Sequence, residues 1–259
     1  MQDPVVVVGL GRSGIGAARL LNARGADVWL LESNTSPELK QRADALSATG
    51  IQVELGKPLV LESFEALPRW PSVVVVSPGI AFDHPVLNQL RDRGCRVVGE
   101  VELAWDAMAS IPWVGITGTN GKTTVTSLVA HLLQQGGLDA PACGNIGASA
   151  AELALACLEG EQPERVVVEL SSYQIEAAPS VQPSIGVWTT LTPDHLDRHG
   201  TLERYRSIKA GLLSQSRRQF LNADDRDLYA HATEWPQACL LYTSPSPRDR
   251  TRSRMPSSA

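Results

Sequence analysis

The stretch "GITGTNGKTT", Gly115–Thr124, decides the fold, because an apolar run, Trp113–Thr117, leads into it and a helical pattern follows it. A phosphate-binding loop of the Walker A type reads G-x-x-x-x-G-K-[ST], which puts its first glycine at position 116. This chain has Ile116 there, and its glycines stand at Gly115 and Gly118 instead. The spacing therefore departs from the common motif, although the Gly-Lys-Thr ending is intact.

The physical parts of a phosphate loop are nevertheless complete in this stretch. The Lys122 ammonium is placed to reach β- and γ-phosphates, and the Thr123 hydroxyl is placed to ligate Mg²⁺. The loop amides at the helix N-terminus can cradle phosphate oxygens. The alternative is an ordinary strand-to-helix turn with a solvated lysine. We predict that ATP is bound by Gly118, Thr119, Asn120, Gly121, Lys122, Thr123 and Thr124.

Short β-branched runs alternate with helical patterns along the chain. Their nearly continuous apolar character is typical of parallel strands that are covered on both faces. The clearest helix is Lys122–Gln135, in which apolar residues repeat at helical spacing. This alternation predicts an α/β fold with parallel sheets. The predicted buried strands are Val5–Val8, Asp27–Leu31, Val73–Val76, Trp113–Thr117, Val166–Leu170 and Ile185–Thr189.

Two glycine-rich strand-to-helix turns, near residues 10 and 120, indicate two domains. A single sheet rarely needs two nucleotide-type turns so far apart. A proline that follows a helical stretch puts the boundary near Ser110–Pro112. We predict a Rossmann-like N-terminal domain at 1–110 and an incomplete P-loop-type α/β ATPase domain at 111–238.

The last residues, 239–259, differ abruptly from the rest of the chain, since they are rich in Ser, Pro and Arg and lack periodicity. One interpretation is a natural basic disordered tail. We favour a foreign or out-of-frame segment joined to a truncated domain, because the change falls where an α/β domain should supply another strand. We therefore exclude this unrelated tail from the fold prediction.

Composition excludes several classes of protein. The 259 residues are 43% hydrophobic and carry a net charge of −5, so we expect no nucleic-acid partner. The four cysteines are widely spaced and form no C-x-x-C, which argues against zinc and a disulfide framework. No apolar stretch reaches the ~18 residues that span a bilayer. We expect a cytoplasmic protein with no membrane insertion.

The first glycine turn, "GLGRSG", places Gly9, Gly11 and Gly14 directly after a strand and at the start of a helix. Glu32 ends the next strand, as the dinucleotide-binding fingerprint requires. The turn would hold a diphosphate, while Glu32 takes a ribose hydroxyl or a base edge. The alternative is that the glycines only permit close helix–strand packing. A second turn, Val76–Ile80, follows another strand at the same edge of the sheet.

Polar side chains also follow the strands of the second domain. Glu169 ends a buried strand, where a carboxylate is costly unless it has a partner, and a metal ion is one reason for it. A helix cap or a salt bridge is the alternative. The segment Thr189–Gly200, "TTLTPDHLDRHG", follows the next strand at the same sheet edge and contains a cluster of Asp194, His195, Asp197 and His199. The alternative is that each histidine is an ordinary polar residue of the surface or core. By sequence pattern alone, Lys209 is an ordinary surface lysine.

Five motifs in this order and spacing resemble the Mur ligases, and they look most like the D-glutamate-adding branch of that family. The resemblance covers roughly Val5–Asp227. The motifs are "TGTNGKTT" (Thr117–Thr124), "GNIG" (Gly144–Gly147), "ELSSYQ" (Glu169–Gln174), "TPDHLDRHG" (Thr192–Gly200) and "NADD" (Asn222–Asp225).

The resemblance implies a role for each matching position. Substrate binding would use Gly11, Arg12, Ser13 and Gly14 for the UDP diphosphate, Glu32, Ser33 and Asn34 for uracil, Ser77, Pro78 and Gly79 for the same cleft, and Asn145 and His195 for the muramoyl-alanine end. Metal ligands would be Thr123, Glu169, His195 and a carbamylated Lys209. Catalytic residues would be Lys122, His195 and Lys209.

The implied reaction is the ATP- and Mg²⁺-dependent ligation of D-glutamate to UDP-N-acetylmuramoyl-L-alanine, through an acyl phosphate, in peptidoglycan precursor synthesis. The implied partners are these small molecules, and the implied state is a monomer. Family members have a third domain that carries the amino-acid site, so we expect this chain to be inactive alone. The alternatives are another Mur-type amino-acid ligase, an NAD-dependent oxidoreductase based on Gly9–Gly14, and a non-catalytic nucleotide-binding protein.

Overall fold

The structure, a computed structural model, describes residues 3–242 and arranges them as two α/β units joined after residue 107. The first unit contains β1 (Val5–Val8), α1 (Arg12–Ala23), β2 (Val28–Glu32), α2 (Pro37–Ser47), β3 (Gln52–Leu55), α3 (Leu61–Glu65), β4 (Val73–Val76), α4 (Pro85–Asp92), β5 (Arg96–Gly99) and α5 (Glu100–Ala107). The second contains β6 (Trp113–Thr117), α6 (Lys122–Gln135), β7 (Ala142–Gly144), α7 (Ala150–Glu159), β8 (Val166–Glu169), α8 (Ser172–Glu176), β9 (Ile185–Trp188), α9 (Leu196–His199), α10 (Leu202–Gln215), β10 (Arg218–Asn222), α11 (Arg226–Ala230), a 3₁₀ turn (Ala232–Glu234) and β11 (Cys239–Leu241).

The first sheet has five parallel strands in the order β3-β2-β1-β4-β5. Its strand order reverses between β1 and β4, and in such sheets ligands bind beside the reversal, at the carboxyl ends of the strands. In this register Val8 lies opposite both Leu31 and Val76. The first glycine turn, Glu32 and Ser77 therefore follow these strands at one edge.

The second sheet has six parallel strands in the order β11-β10-β9-β6-β8-β7. Ile116 lies opposite Glu169, and Thr117 lies opposite Trp188. Because the strands are parallel, the phosphate loop after β6, the carboxylate that ends β8 and the segment after β9 meet at one edge of this sheet. The α/β class with two parallel sheets is confirmed.

The sequence pattern identified six of the eleven strands that the structure describes within 3–242, and the full length of α6. It missed β3, β5, β7, β10 and β11, which are short or contain polar residues. The last of these strands, Cys239–Leu241, pairs in parallel with β10, so the first residues that the sequence pattern assigned to the tail belong to the sheet. The rest of that tail, 243–259, lies outside the described residues. Within 3–242, no helix is long and apolar enough to cross a membrane.

A shared apolar layer joins the two units. One continuous core cluster contains residues from α1 and α5 of the first unit and from α7 and β8 of the second, including Leu20, Ala104, Ala151 and Val168. Burial of apolar surface contributes about 25 cal/mol per Å², so this layer stabilises the contact between the units as well as each unit.

A small residue allows α1 and α7 to approach closely. A Cβ atom on Gly16 would lie 2.5 Å from Ser149 Oγ, the atom that caps α7 by accepting from the Glu152 amide. Beside it, the buried Glu100 carboxylate accepts a hydrogen bond from the Ala151 amide in the first turn of α7. Burial raises the pKa of Glu100 to about 7.

We expect Gly16→Ala to lower the free energy of unfolding by about 1–2 kcal/mol, because the overpacking cost exceeds the gain in helix propensity. The matched control is Gly211→Ala, inside α10, where a Cβ would meet nothing within 4 Å. It should leave stability unchanged or raise it by about 0.5–1 kcal/mol. Urea unfolding of both variants makes the comparison, and equal stability of the two would contradict the close approach.

Candidate active site

The phosphate loop is built around two glycines with positive φ. Gly118 has φ 155° and Gly121 has φ 80°, and a Cβ on Gly118 would lie 2.0 Å from Thr189 Oγ1. Lys122 Nζ donates to the carbonyl oxygens of Gly118, at 3.0 Å, and Thr119, at 2.8 Å. The Lys122 ammonium therefore lies against the loop carbonyls, at the place where a bound phosphate would contact it.

The segment after β9 is hydrogen-bonded to this loop. Thr189 Oγ1 donates to the Asn120 carbonyl at 2.6 Å, and the Asn120 amide donates to Thr190 Oγ1 at 2.9 Å. Thr119 Oγ1 donates to the Thr192 carbonyl at 3.0 Å. Sequence reasoning missed Thr189 and Thr190, because threonine after a strand is too common to be a signal. Their hydrogen bonds fix the shape of the loop.

Glu169 is the centre of a small polar cluster. Its side chain is 1% exposed, and its two carboxylate oxygens accept from Thr123 Oγ1 and from Asn145 Nδ2, each at 2.9 Å. Its backbone carbonyl accepts from the Asn145 amide at 3.0 Å. Within residues 3–242 its carboxylate has no ion pair with a basic side chain. Thr123, Glu169 and Asn145 belong to three separate motifs of the sequence. The structure brings these three residues into contact.

The donor atoms of this cluster fit a Mg²⁺ ion. A hydroxyl and a carboxylate are hard oxygen donors, and a buried carboxylate without a cation needs compensation. The part of the chain that the structure describes contains no group of three or more His, Cys, Asp or Glu side chains suited to a metal. Mg²⁺ in nucleotide sites is typically held by one or two carboxylates plus substrate phosphates, so one carboxylate with Thr123 suffices.

Lys209 is not a surface lysine, because its side chain is 1% exposed. Its Nζ donates to Thr117 Oγ1 at 3.1 Å and to the Gly118 carbonyl at 3.0 Å, and it lies 4.8 Å from the centre of the Tyr205 ring. Burial, with a smaller contribution from the nearby Lys122 charge, lowers the pKa of Lys209 to about 7. An amine with this pKa is substantially neutral at physiological pH.

The two histidines of "TPDHLDRHG" have different surroundings. His195 has φ 52°, is about half exposed and lies 3.5 Å from an Asp194 carboxylate oxygen. It makes no hydrogen bond to Thr123 or Glu169 in the described structure. His199 is buried, and its Nε2 is 2.9 Å from Ser172 Oγ. Burial lowers the pKa of His199, which favours its neutral form. His199 therefore holds the "TPDHLDRHG" segment against the start of α8 through its contact with Ser172. The sequence analysis missed this role.

The first glycine turn is closed by Glu32. Its carboxylate accepts from the Leu10 and Asn34 amides, both at 2.9 Å, and from Ser33 Oγ at 3.3 Å. Burial raises the pKa of Glu32, but these hydrogen bonds outweigh burial and leave it below its ordinary value. Gly14 is required here, because a Cβ would lie 1.9 Å from the Gly9 carbonyl oxygen. Glu32 thus shapes the turn as well as facing it.

A cavity of about 210 Å³ lies at this turn. It is bounded by the ends of β1, β2 and β4, and three of the residues predicted to bind substrate, Glu32, Ser33 and Ser77, line it. Sequence reasoning missed its further lining residues, Lys57, Leu59 and Ile80. Of the remaining predicted residues, Gly11 caps α1, Ser13 lies in its first turn, Asn34 binds Glu32, and Pro78 and Gly79 form the turn after β4.

Arginine side chains connect the two units around this cleft. Arg12 Nη1 donates to the Gly147 carbonyl at 2.8 Å, so its guanidinium reaches the "GNIG" loop of the second unit. Arg198 Nη2 donates in the opposite direction, to the Ile80 carbonyl at 2.7 Å. Arg198 was missed because an arginine inside a motif gives no spacing signal of its own.

Models of known protein families match most of this chain. Residues 3–99 match the model of the Mur ligase MurD-like N-terminal domain, and residues 116–253 match that of the Mur ligase middle domain. The second match alone covers more than half of the chain. The chain therefore belongs to the Mur ligase family.

Individual relatives show which Mur ligases this chain is similar to. The chain is 55% identical over 246 residues to UDP-N-acetylmuramoylalanine–D-glutamate ligase of Synechococcus sp. (strain CC9902), covering 94% of this chain and 53% of the relative. It is 56% identical over 232 residues to the enzyme of that name from strain CC9605, covering 89% and 50%. The chain thus spans about half the length of the curated relatives it matches.

A solved structure has the same fold. The UDP-N-acetylmuramate:L-alanyl-gamma-D-glutamyl-meso-diaminopimelate ligase from Neisseria meningitides aligns with a TM-score of 0.62 and 18% identity, covering 93% of this chain and 78% of that one. At this identity the likeness concerns the fold alone.

The buried lysine makes stability depend on pH. The folded-state pKa of Lys209, about 7, is below its unfolded value, so the unfolded chain binds more protons between pH 7 and 10 and stability rises with pH there. Relative to Lys209→Met, the wild-type chain should gain roughly 3–4 kcal/mol of unfolding free energy between pH 7 and pH 10. Urea unfolding in CO₂-free buffers measures this difference.

The control for this experiment is Lys40→Met, which removes an exposed lysine of α2. It should follow the wild-type pH dependence. A Lys209→Met curve parallel to the wild-type curve would show that the lysine is charged in the folded protein across this range.

Proposed function

We propose that this chain carries the UDP-substrate site and the ATP site of an ATP-dependent ligase that joins D-glutamate to UDP-N-acetylmuramoyl-L-alanine in peptidoglycan precursor synthesis. The observation that carries the proposal is the cluster of Thr123, Glu169 and Asn145 at the mouth of the phosphate loop. Family membership and the names of the relatives support it. We further propose a cytoplasmic monomer.

The first unit would bind the UDP part of the substrate. The free amides at the start of α1 suit a diphosphate, because a helix N-terminus carries a partial positive charge. The cavity between Glu32, Ser33 and Ser77 supports a place for the base, since it has both acceptors and an apolar wall. Hydrogen bonds from Leu10 and Asn34 keep Glu32 ionised, so it would accept from a ligand N–H or hydroxyl.

The second unit would bind ATP. Amides of the loop from Gly118 to Gly121 would hold the phosphates, and the Lys122 ammonium would move from the loop carbonyls to the β- and γ-oxygens. Thr123 and Glu169 would hold Mg²⁺, which neutralises charge on the transferred phosphoryl group when it is bound. His195, which has a positive φ on the turn after β9, would face the muramoyl-alanine end together with Asn145.

The reaction would proceed in two displacements. A carboxylate oxygen of the L-alanyl group attacks the γ-phosphorus of ATP and expels ADP, which gives an acyl phosphate. The D-glutamate amine then attacks the acyl carbon, expels inorganic phosphate and loses a proton. Each step brings anions together, so the Lys122 charge and fixed alignment lower the barrier.

Lys209 would act as a carbamate. A neutral lysine amine adds to CO₂, forming an N–C bond and releasing one proton, and the product is an anionic oxygen ligand on a buried stem. The lowered pKa of Lys209 supports this, because the neutral amine is the reactive form. Its position, 3.0 Å from the Gly118 carbonyl, supports a role beside the phosphates.

Binding measurements test the proposed function. Calorimetry should show that the chain binds UDP-N-acetylmuramoyl-L-alanine and Mg·AMP-PNP, while a fluorescence titration with NADH shows no binding. NADH binding without UDP-substrate binding would reject the ligase assignment in favour of an oxidoreductase.

Asn145 holds the Glu169 carboxylate, so its loss should weaken the metal-nucleotide site. We expect Asn145→Ala to weaken Mg·AMP-PNP binding about 10–100-fold, as removal of a group that orients a metal ligand does. Asn22→Ala, which removes an exposed contact to the Thr49 carbonyl in the first unit, is the control and should bind like wild type. Unchanged affinity in Asn145→Ala would show that Asn145 does not orient Glu169 for the proposed metal site.

A further inference from the structure

Arg12 reaches from the first glycine turn into the second unit. Its Nη1 lies 2.8 Å from the Gly147 carbonyl oxygen, and its Nη2 lies 3.4 Å from the carbonyl oxygens of both Gly144 and Asn145. The residue is exposed, so these contacts are not a consequence of core packing. A planar guanidinium can meet several carbonyls of one loop at once, whereas a lysine ammonium is a single point.

The loop that Arg12 holds is bound on its other side by Glu169. Gly144 has φ 101°, and a Cβ there would lie 2.5 Å from the Glu169 carbonyl oxygen, so the loop backbone lies directly on that strand end. The Asn145 amide and side chain both donate to Glu169. The loop therefore turns its carbonyls to Arg12 and its donors to Glu169.

A continuous set of hydrogen bonds thus joins the two glycine turns. It runs from Arg12, at the first position of α1, through the loop carbonyls to Asn145, then to Glu169 and Thr123. We propose that Arg12, in addition to the diphosphate contact that the family resemblance implies, is a positioning residue that couples occupancy of the UDP-substrate site to occupancy of the Mg-nucleotide site. This inference rests on the function proposed above.

The physical reason is shared ordering. A ligand on the first glycine turn restrains the start of α1 and with it the base of the Arg12 side chain, so the "GNIG" loop and Glu169 become better ordered for the metal. Coupling between two binding sites is reciprocal, so the nucleotide must strengthen substrate binding by the same factor. A residue that only stabilised the fold would change neither factor.

Other arginines cross between the units without touching this path. Arg204 Nη2 lies 2.9 Å from carboxylate oxygens of both Asp83 and Glu176. Neither carboxylate belongs to a glycine turn or to the "GNIG" loop. Arg204 is therefore a matched control, since it is also an exposed arginine with cross-domain contacts.

The test measures the dissociation constant of Mg·AMP-PNP for the 259-residue chain by calorimetry, with and without saturating UDP-N-acetylmuramoyl-L-alanine, and then in the reverse order. In the wild-type chain each ligand should tighten the other by about 5-fold or more, with equal factors in both directions. In Arg12→Met the factor should fall to about one, and in Arg12→Lys it should be intermediate. Arg204→Gln should retain the wild-type factor.

The outcomes separate the inference from the proposed function. If both ligands bind without coupling in the wild-type chain, or if coupling survives in Arg12→Met, the inference is wrong and the proposed function stands. If the coupling factor falls equally in Arg204→Gln, the coupling depends on contact between the domains in general, and the inference about Arg12 is also overturned. A chain that binds neither ligand overturns the proposed function and the inference together.

Thermal unfolding shows whether each variant is folded. If Arg12→Met is unfolded, Arg12→Lys tests the coupling instead, because lysine keeps the positive charge and lacks the planar guanidinium that contacts several carbonyls. Wild-type coupling in folded Arg12→Lys would then overturn the inference, and reduced coupling would support it.

Discussion

The close contact between α1 and α7 is the interaction on which the site depends. Each helix follows a glycine-containing loop of its own unit, and the two helices touch where Gly16 leaves room for Ser149. The apolar layer around this contact continues from one sheet to the other. Because helices and sheets are rigid on the scale of a few ångströms, fixing α1 against α7 also fixes the first glycine turn against the "GNIG" loop. The arginine contact across the cleft exists only because of that spacing.

The same arrangement explains why costly groups are buried at the edge of the second sheet. Glu169 and Lys209 are both 1% exposed, and neither has an ion-pair partner in the described structure. Burying a charge without a partner is unfavourable, and the protein offsets this with hydrogen bonds from Thr123 and Asn145 to the carboxylate and with a neutral form of the amine. Such groups persist in a structure when they serve a site.

The sequence predicted the parts of the fold that rest on local patterns. β1 and β4 are runs of four valines, β6 is nearly continuous in apolar residues, and α6 repeats apolar residues at helical spacing, so their bounds were correct. β3 is "QVEL" and half-exposed, while β10 is "RQFLN"; both lack the pattern of a buried strand and are held by parallel pairing to the preceding strand, across the helices that lie between them in the chain. Pairing of that kind cannot be inferred from composition.

Residue types and their positions along the chain determined the α/β class, the two phosphate-type turns and the family. Glycines at required φ values, a lysine at a helix N-terminus and a carboxylate at a strand end are local requirements, and a sequence records them directly. Only the tertiary structure decided that Lys209 is buried beneath the loop, that Asn145 holds Glu169 and that Arg12 crosses to the second unit. Burial and long-range hydrogen bonds depend on how helices and strands pack, and packing is a property of the whole chain.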